Sequence, residues 1–176
     1  MKTVCFTGYR PEKLDFTEND EKYRALVGNL KIVVRRLFTL GYTNYISGMA
    51  RGFDMWAAEA VCTLKKENDS VKLSCAIPFP SQAKSWTDEE KTRYNDILDF
   101  SDEKIVISPT YTRDSFHKRN RYMVDNSDVV VCLYDGTSGG TAYTVNYALK
   151  KGKVVIQIHA KTLAVTVISE NKLQLD

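Results

Sequence analysis

Short apolar runs alternate with helical spacing along the whole chain, and most of these runs are apolar on both sides of the pleat. The runs cover residues 3–7, 45–47, 71–77, 104–107, Val129–Tyr134 and 154–158. Between them the 3.6-residue period predicts five helices, over residues 19–40, 53–66, 86–100, 115–126 and 142–150. A strand without polar alternation is buried on both faces, and a parallel sheet covered by helices on both sides supplies that environment. The expected fold is therefore α/β: a three-layer α/β/α, Rossmann-like, doubly wound sheet that is mainly parallel, forming one domain over residues 1–176. Within the tail, 160–176, residues 163–168 offer an edge strand and residues 171–176 a frayed end.

A chain of 176 residues buries roughly 70% of its unfolded surface, so its core needs no covalent staple. Cys5, Cys75 and Cys132 sit in apolar runs, Cys62 lies apart, and no CxxC pair occurs, which reads as reduced thiols. The net charge of +3 and pI near 8.6 suit a small anionic ligand and argue against nucleic acid as a partner. No His/Cys/carboxylate constellation suggests a metal, and no cofactor is required. Met1 leads into a strand without a basic and apolar leader, and no run reaches membrane-spanning length, so the chain reads as cytoplasmic and off the membrane.

In a doubly wound sheet, ligands sit beyond the carboxyl ends of the strands, where the strand order reverses. The unusual residues collect at those ends. Gly8-Tyr9-Arg10-Pro11 follows the first strand, and Gly48-Met49-Ala50-Arg51-Gly52-Phe53-Asp54 follows the second. Pro78-Phe79-Pro80-Ser81-Gln82 follows the third, and Asp135-Gly136-Thr137-Ser138-Gly139-Gly140-Thr141 follows the fifth. Four such loops on one rim predict one cleft. The glycine-rich turn lacks the GxxxxGK[ST] and GxGxxG patterns. Its backbone N–H groups and the helix behind it could still hold a phosphate without a lysine; a plain tight connection is the alternative.

Several side chains have two readings each. Arg10 could fork onto a phosphate or stand in solvent. Gly48 and Gly52 could bring backbone close to a ligand or permit positive φ. Asp54 is a ligand contact or a helix cap. Glu59, in the apolar stretch Trp56-Ala57-Ala58-Glu59-Ala60-Val61, could hold a ribose hydroxyl or act as general base, or could pair with an arginine. The basic segment Arg113, His117, Lys118, Arg119 and Arg121 is a nucleic-acid face or a solvated helix, with Arg119 expected to point inward. Trp86 and Tyr94 could stack a base or pack their helix on the sheet. His117 and His159 lack partners for a metal or a triad, and read as solvent-facing or satisfied core residues.

Taken in order, these motifs resemble the YpsA-like branch of the SLOG superfamily, Rossmann-like proteins related to DprA and to the cytokinin-activating phosphoribohydrolases. The resemblance rests on Gly8-Tyr9-Arg10-Pro11, the segment from Gly48 to Asp54 with Trp56 and Glu59, Pro78 with Gln82 and Trp86, the segment Arg119-Asn120-Arg121-Tyr122-Met123-Val124-Asp125, and Tyr134-Asp135-Gly136 with Gly139-Gly140-Thr141. It implies a pocket for a nucleotide-derived ligand such as ADP-ribose or NAD, and self-association as a dimer or tetramer. A protein of this kind would act as a sensor, regulator or sequestering module. The phosphoribohydrolase relatives pair an arginine, matched here by Arg119, with a glutamate three residues past the glycine turn. Thr144 occupies that glutamate position, so the resemblance favours binding over catalysis. An N-glycosidase working through Glu59 and Arg119, and a DprA-like single-strand DNA binder, are the alternatives.

Overall fold

The computed structural model describes residues 2–169. Their strands are β1 (Lys2–Gly8), β2 (Tyr42–Ser47), β3 (Lys72–Ile77), β4 (Glu103–Val106), β5 (Val129–Tyr134), β6 (Val154–His159) and β7 (Val165–Val167). The helices are α1 (Glu21–Thr39), α2 (Phe53–Glu67), α3 (Asp88–Phe100), α4 (Ser115–Asp125) and α5 (Gly140–Lys150). One seven-stranded sheet runs in the order β4-β3-β2-β1-β5-β6-β7. All pairs are parallel except β6 with β7, which is antiparallel and gives the edge strand expected near residues 163–168. The expected fraying over 171–176 lies outside the described residues.

Alternate residues of each strand feed opposite layers. Val4, Phe6, Val129, Val131 and Leu133 join a core with α1, α2 and α3, through Leu26, Leu30, Phe53, Trp56, Val61, Tyr94 and Ile97. Cys5, Val130 and Cys132 face the other way, onto Met123 and Val124 of α4 and Val145 and Ala148 of α5. Burying each of these large apolar side chains is worth about 1.5–3 kcal/mol, which explains why the central strands carry no polar face. All four cysteines are free thiols. Burial pushes Cys5 and Cys75 up to about 12, so they behave as inert core groups.

Helix boundaries follow local chemistry. α3 begins at Asp88 rather than at Trp86 because Thr87 and Glu90 close a capping box, with Glu90 N–H donating to Thr87 Oγ1 (3.2 Å) and Thr87 N–H to Glu90 Oε2 (2.9 Å). The chain builds β2, β3 and β4 outward on one side of β1. It then returns through α4 to lay β5 on the other side. The strand order therefore reverses between β1 and β5, and their carboxyl ends open the crevice where a doubly wound sheet takes its ligand.

Candidate functional site

A cleft of about 530 Å³ occupies that switch point. Its walls come from the loop after β1 (Gly8, Tyr9, Arg10, Lys13), from Ala50 and Asp54 at the start of α2, from Phe116, His117, Arg119 and Asn120 of α4, and from Gly140 and Thr141 of α5. The loops expected after β1, β2 and β5 thus meet around one space, joined by α4.

The floor is the first turn of α5. Gly139 precedes it at φ 144°, a conformation open to glycine, and no side chain caps the helix. An uncapped N-terminus presents N–H groups and partial positive charge. Asp135 and Gly136 lie outside the cleft lining. The Asp135 carboxylate accepts from the Tyr9 hydroxyl, from Thr137 N–H (3.1 Å) and from Thr137 Oγ1 (2.8 Å). Those bonds hold it well below the usual carboxylate range. Tyr9, 3% exposed, also bonds Thr137 Oγ1 at 2.6 Å, which clamps the β1 loop to the glycine turn.

The sequence offers a phosphate site without a lysine, and the structure places Lys13 beside that turn. A single 3₁₀ turn, Pro11–Lys13, follows Arg10 and carries Lys13 to the turn. A Cβ added to Gly139 would lie 2.7 Å from Lys13 Nζ. Lys13 Nζ also sits 5.1 Å from the Tyr9 ring centre, and Arg10 lies 5.4 Å from that of Phe116. Both cations are exposed, and neither has an ion-pair partner among the described residues. The only sequence signal for Lys13 was its place three residues beyond Arg10, since the turn that aims it has no helical or strand period.

Arg119 is 4% exposed and points inward, as its helical position predicts. Its guanidinium donates to the Gly48 carbonyl and to Asn120 Oδ1 (2.7 Å), and stands 3.5 Å from Asp54 Oδ2. Asn120 donates in turn to Thr144 Oγ1 (2.8 Å), whose hydroxyl donates to the Gly140 carbonyl (3.0 Å). This relay links the loop after β2, α4 and the mouth of α5. Thr144, 1% exposed, is therefore a tie within the wall.

Asp54 is not the N-cap of α2, a position held by Gly52. It is the second helical residue, 4% exposed, and accepts from the Ala50 N–H. Burial pushes its carboxyl up to about 6, with Arg119 opposing the rise. Burial likewise works against the Arg119 charge. The two glycines before α2 make room for this pair and for the β1 loop. A Cβ on Gly48 would come within 2.7 Å of Asp54 Oδ2, and one on Gly52 (φ 83°) within 2.7 Å of the Tyr9 carbonyl. Gly8 similarly admits the Phe53 ring.

Glu59 is not brought to the cleft. Both its oxygens are held by Arg93 of α3, Oε2 at 2.7 Å from Nη2, and Arg93 also reaches both Glu18 oxygens at 2.8 Å. This is the arginine pairing, and it ties α2 to α3 and the α1 approach. Pro78 lines no cleft; its carbonyl accepts from Ser108 N–H (3.1 Å) and ends β3. Gln82 lies in an adjoining lobe of about 460 Å³ with Arg51, Phe79, Ser81, Ser85, Trp86 and Tyr111. Arg10, Ala50 and Phe116 belong to both spaces. Tyr94 packs edge-to-face on Trp86 at 5.3 Å and is 6% exposed. His117, against the Tyr143 ring at 4.3 Å, lines the cleft with Nδ1 unpartnered. His159 is satisfied, its Nδ1 accepting from Lys161 N–H at 3.2 Å. Among the described residues no group of three metal-ligating side chains assembles, and no helix is long and apolar enough to cross a membrane.

Fold and cleft together define a doubly wound, Rossmann-like α/β protein with a polar cleft at its switch point, lined by Arg10, Lys13 and Arg119 and by the carboxylates of Glu12 and Asp54. The chain belongs to the YpsA family, described as the YspA SLOG family, whose model matches residues 4–166. A UPF0398 protein of Bacillus licheniformis is 30% identical over 156 residues, covering 85% of this chain and 84% of the relative. The fold resembles DNA processing protein A (DprA) from Streptococcus pneumoniae, with TM-score 0.62, 17% identity, and coverage of 92% of this chain and 52% of that one. DprA from Helicobacter pylori, solved to describe its single-stranded DNA binding mode, gives TM-score 0.59 and 19% identity, with coverage of 89% and 64%. The chain thus spans about half to two thirds of those DprA chains.

Proposed function

We propose that this protein binds a nucleotide-derived ligand of the ADP-ribose or NAD kind, as a sensor, regulator or sequestering module. The observation that carries the reading is the uncapped first turn of α5 opening into the switch-point cleft beside Lys13 and Arg10. Helix N–H groups and two unpaired cations around one concave space suit a phosphate or diphosphate. Gly139, Gly140 and Thr141 hold the phosphates, with Lys13 and Arg10 above them. Arg119 shapes the wall through Asp54 and Asn120 and does not itself grip the ligand.

A thermal-shift screen with ADP-ribose, NAD, cyclic ADP-ribose and AMP tests the proposal. Ligand at 100 times Kd stabilises by about 2.7 kcal/mol, which for a chain of this size raises Tm by roughly 5–10 °C. No shift with any of the four overturns it. In this reading Glu59 is unavailable for glycosidic cleavage, and a carboxylate of the cleft that can exchange a proton near neutral pH is Asp54, which burial pushes up to about 6. Base released from NAD on overnight incubation, and abolished by Asp54→Asn, would make the protein a hydrolase.

A second reading follows from the shared fold with the single-strand DNA-binding DprA of Helicobacter pylori. Arg113, just before α4, and Lys118, within it, are exposed and could meet a nucleic-acid backbone. Binding of an oligonucleotide that falls steeply between low and moderate salt would favour it.

A further inference from the structure

We infer that the aromatic lobe beside the cleft is the seat of a nucleobase, so that a bound nucleotide lies across Arg10 with its phosphates on α5 and its base over β3. This rests on the phosphate reading above and adds the part of the ligand that reading leaves open. The lobe and the cleft adjoin, with Arg10, Ala50 and Phe116 lining both. At about 460 Å³ the lobe has room for a heterocycle.

Its lining has the chemistry that planar rings select. Phe79 meets Tyr111 at 5.2 Å and Phe116 at 5.5 Å, both edge-to-face, and Trp86 lines the same space. Tyr111 is 60% exposed, a large uncovered aromatic surface at the mouth of a concave site. Base–aromatic stacking is sequence-tolerant because every base has a π face. Arg10, whose guanidinium lies 5.4 Å from the centre of the Phe116 ring, stands on the divide, where it can reach a phosphate without leaving that ring.

A second observation points to a polar heterocycle rather than to an apolar ring. Gln82 is 9% exposed and lines the lobe. Its Nε2 donates to the Met49 carbonyl (3.1 Å) and to the Tyr94 hydroxyl (3.4 Å), and the Met49 carbonyl, an acceptor only, fixes which way the amide faces. Oε1 is left as a buried acceptor without a partner. Such a group is costly to bury; the oxygen is closed to solvent as the side chain stands, and an outward tilt of the amide on base binding would give it the N–H edge of a nucleobase as donor. Ser81 and Ser85 add hydroxyls on the same wall.

Titrations of the full chain with ADP and with inorganic pyrophosphate, followed by calorimetry and by tryptophan emission, test the assignment. ADP binds at least tenfold tighter than pyrophosphate and quenches emission, and Trp86→Phe removes the quenching because the other tryptophan, Trp56, is buried. Tyr111→Ala, at an exposed position that leaves the fold intact, weakens ADP at least fivefold and leaves pyrophosphate unchanged, as loss of one base stack does. If both ligands bind equally, or Tyr111→Ala lowers neither or both alike, the base seat is overturned and the phosphate site stands. If neither ligand binds, the phosphate reading falls and the base seat with it.

Discussion

Arg119→Met removes a guanidinium that is 4% exposed and strands three acceptors: the Asp54 carboxylate, the Gly48 carbonyl and Asn120 Oδ1. Breaking one side of a buried ion pair costs about 3–5 kcal/mol, because the remaining charge has lost its compensation. At ~2–4 °C per kcal/mol for a chain of this size, Tm falls by roughly 6–20 °C. The pH dependence identifies the cause. In the native protein burial holds the Asp54 carboxyl up at about 6, above the ordinary carboxylate range. A raised carboxyl favours the folded state when protonated, so its contribution is fully present below the unfolded value and is lost as pH rises through about 6. Without Arg119 the carboxyl moves higher still, and the folded variant gains more from protonation than the native protein does. Urea denaturation at about pH 8 and about pH 5 therefore shows a deficit that shrinks on acidification, and Asp54→Asn added to the variant recovers part of it. A deficit that is equal at the two pH values, or larger at pH 5, refutes the argument that the stranded Asp54 charge sets the cost.

Other outcomes follow from the same geometry. Gly48→Ala places a methyl 2.7 Å from Asp54 Oδ2 and against Arg119, so denaturation reports a loss of about 1–3 kcal/mol, the usual range for overpacking. Lys13→Met and Arg10→Met change stability by less than ~0.5 kcal/mol, since both side chains are exposed and without ion pairs among the described residues. Calorimetry with ADP-ribose nevertheless shows each weakening binding about tenfold, as loss of a charge-assisted contact does. Glu59→Gln lowers stability by no more than about 1 kcal/mol, because the Arg93 pair is about one third exposed, and it leaves ADP-ribose affinity unchanged.

The architecture was legible because periodicity carries it. Strand β5, Val129–Tyr134, is apolar on both faces because Val129 and Val131 enter one layer while Val130 and Cys132 enter the other. The inward turn of Arg119 followed in the same way, from its place beside Met123 on α4. The contents of the cleft were harder to read, because they depend on pairings between distant residues. Glu59 and Arg93 are 34 positions apart, and only the packing of α3 on α2 shows that the arginine occupies the glutamate. Lys13 is not legible in the sequence because a 3₁₀ turn has no sequence period, and its neighbour, Gly139, is brought near by the β1–β5 pairing. Gly8 ends β1, and Gly48 and Gly52 lie in the loop between β2 and α2. Their use, to admit Phe53, the Arg119–Asp54 pair and the Tyr9 carbonyl, is a property of packing that no single-chain pattern encodes.

The central claim is that phosphate rests on the first turn of α5. Backbone amide resonances recorded while ADP-ribose is titrated into isotopically labelled protein test it most directly. The N–H signals of Gly139, Gly140 and Thr141 are expected to move together and saturate with the ligand, and Lys13→Met to shift their midpoint to higher concentration. Binding that leaves these three signals in place while amides elsewhere respond, or a titration in which no amide responds, would contradict it.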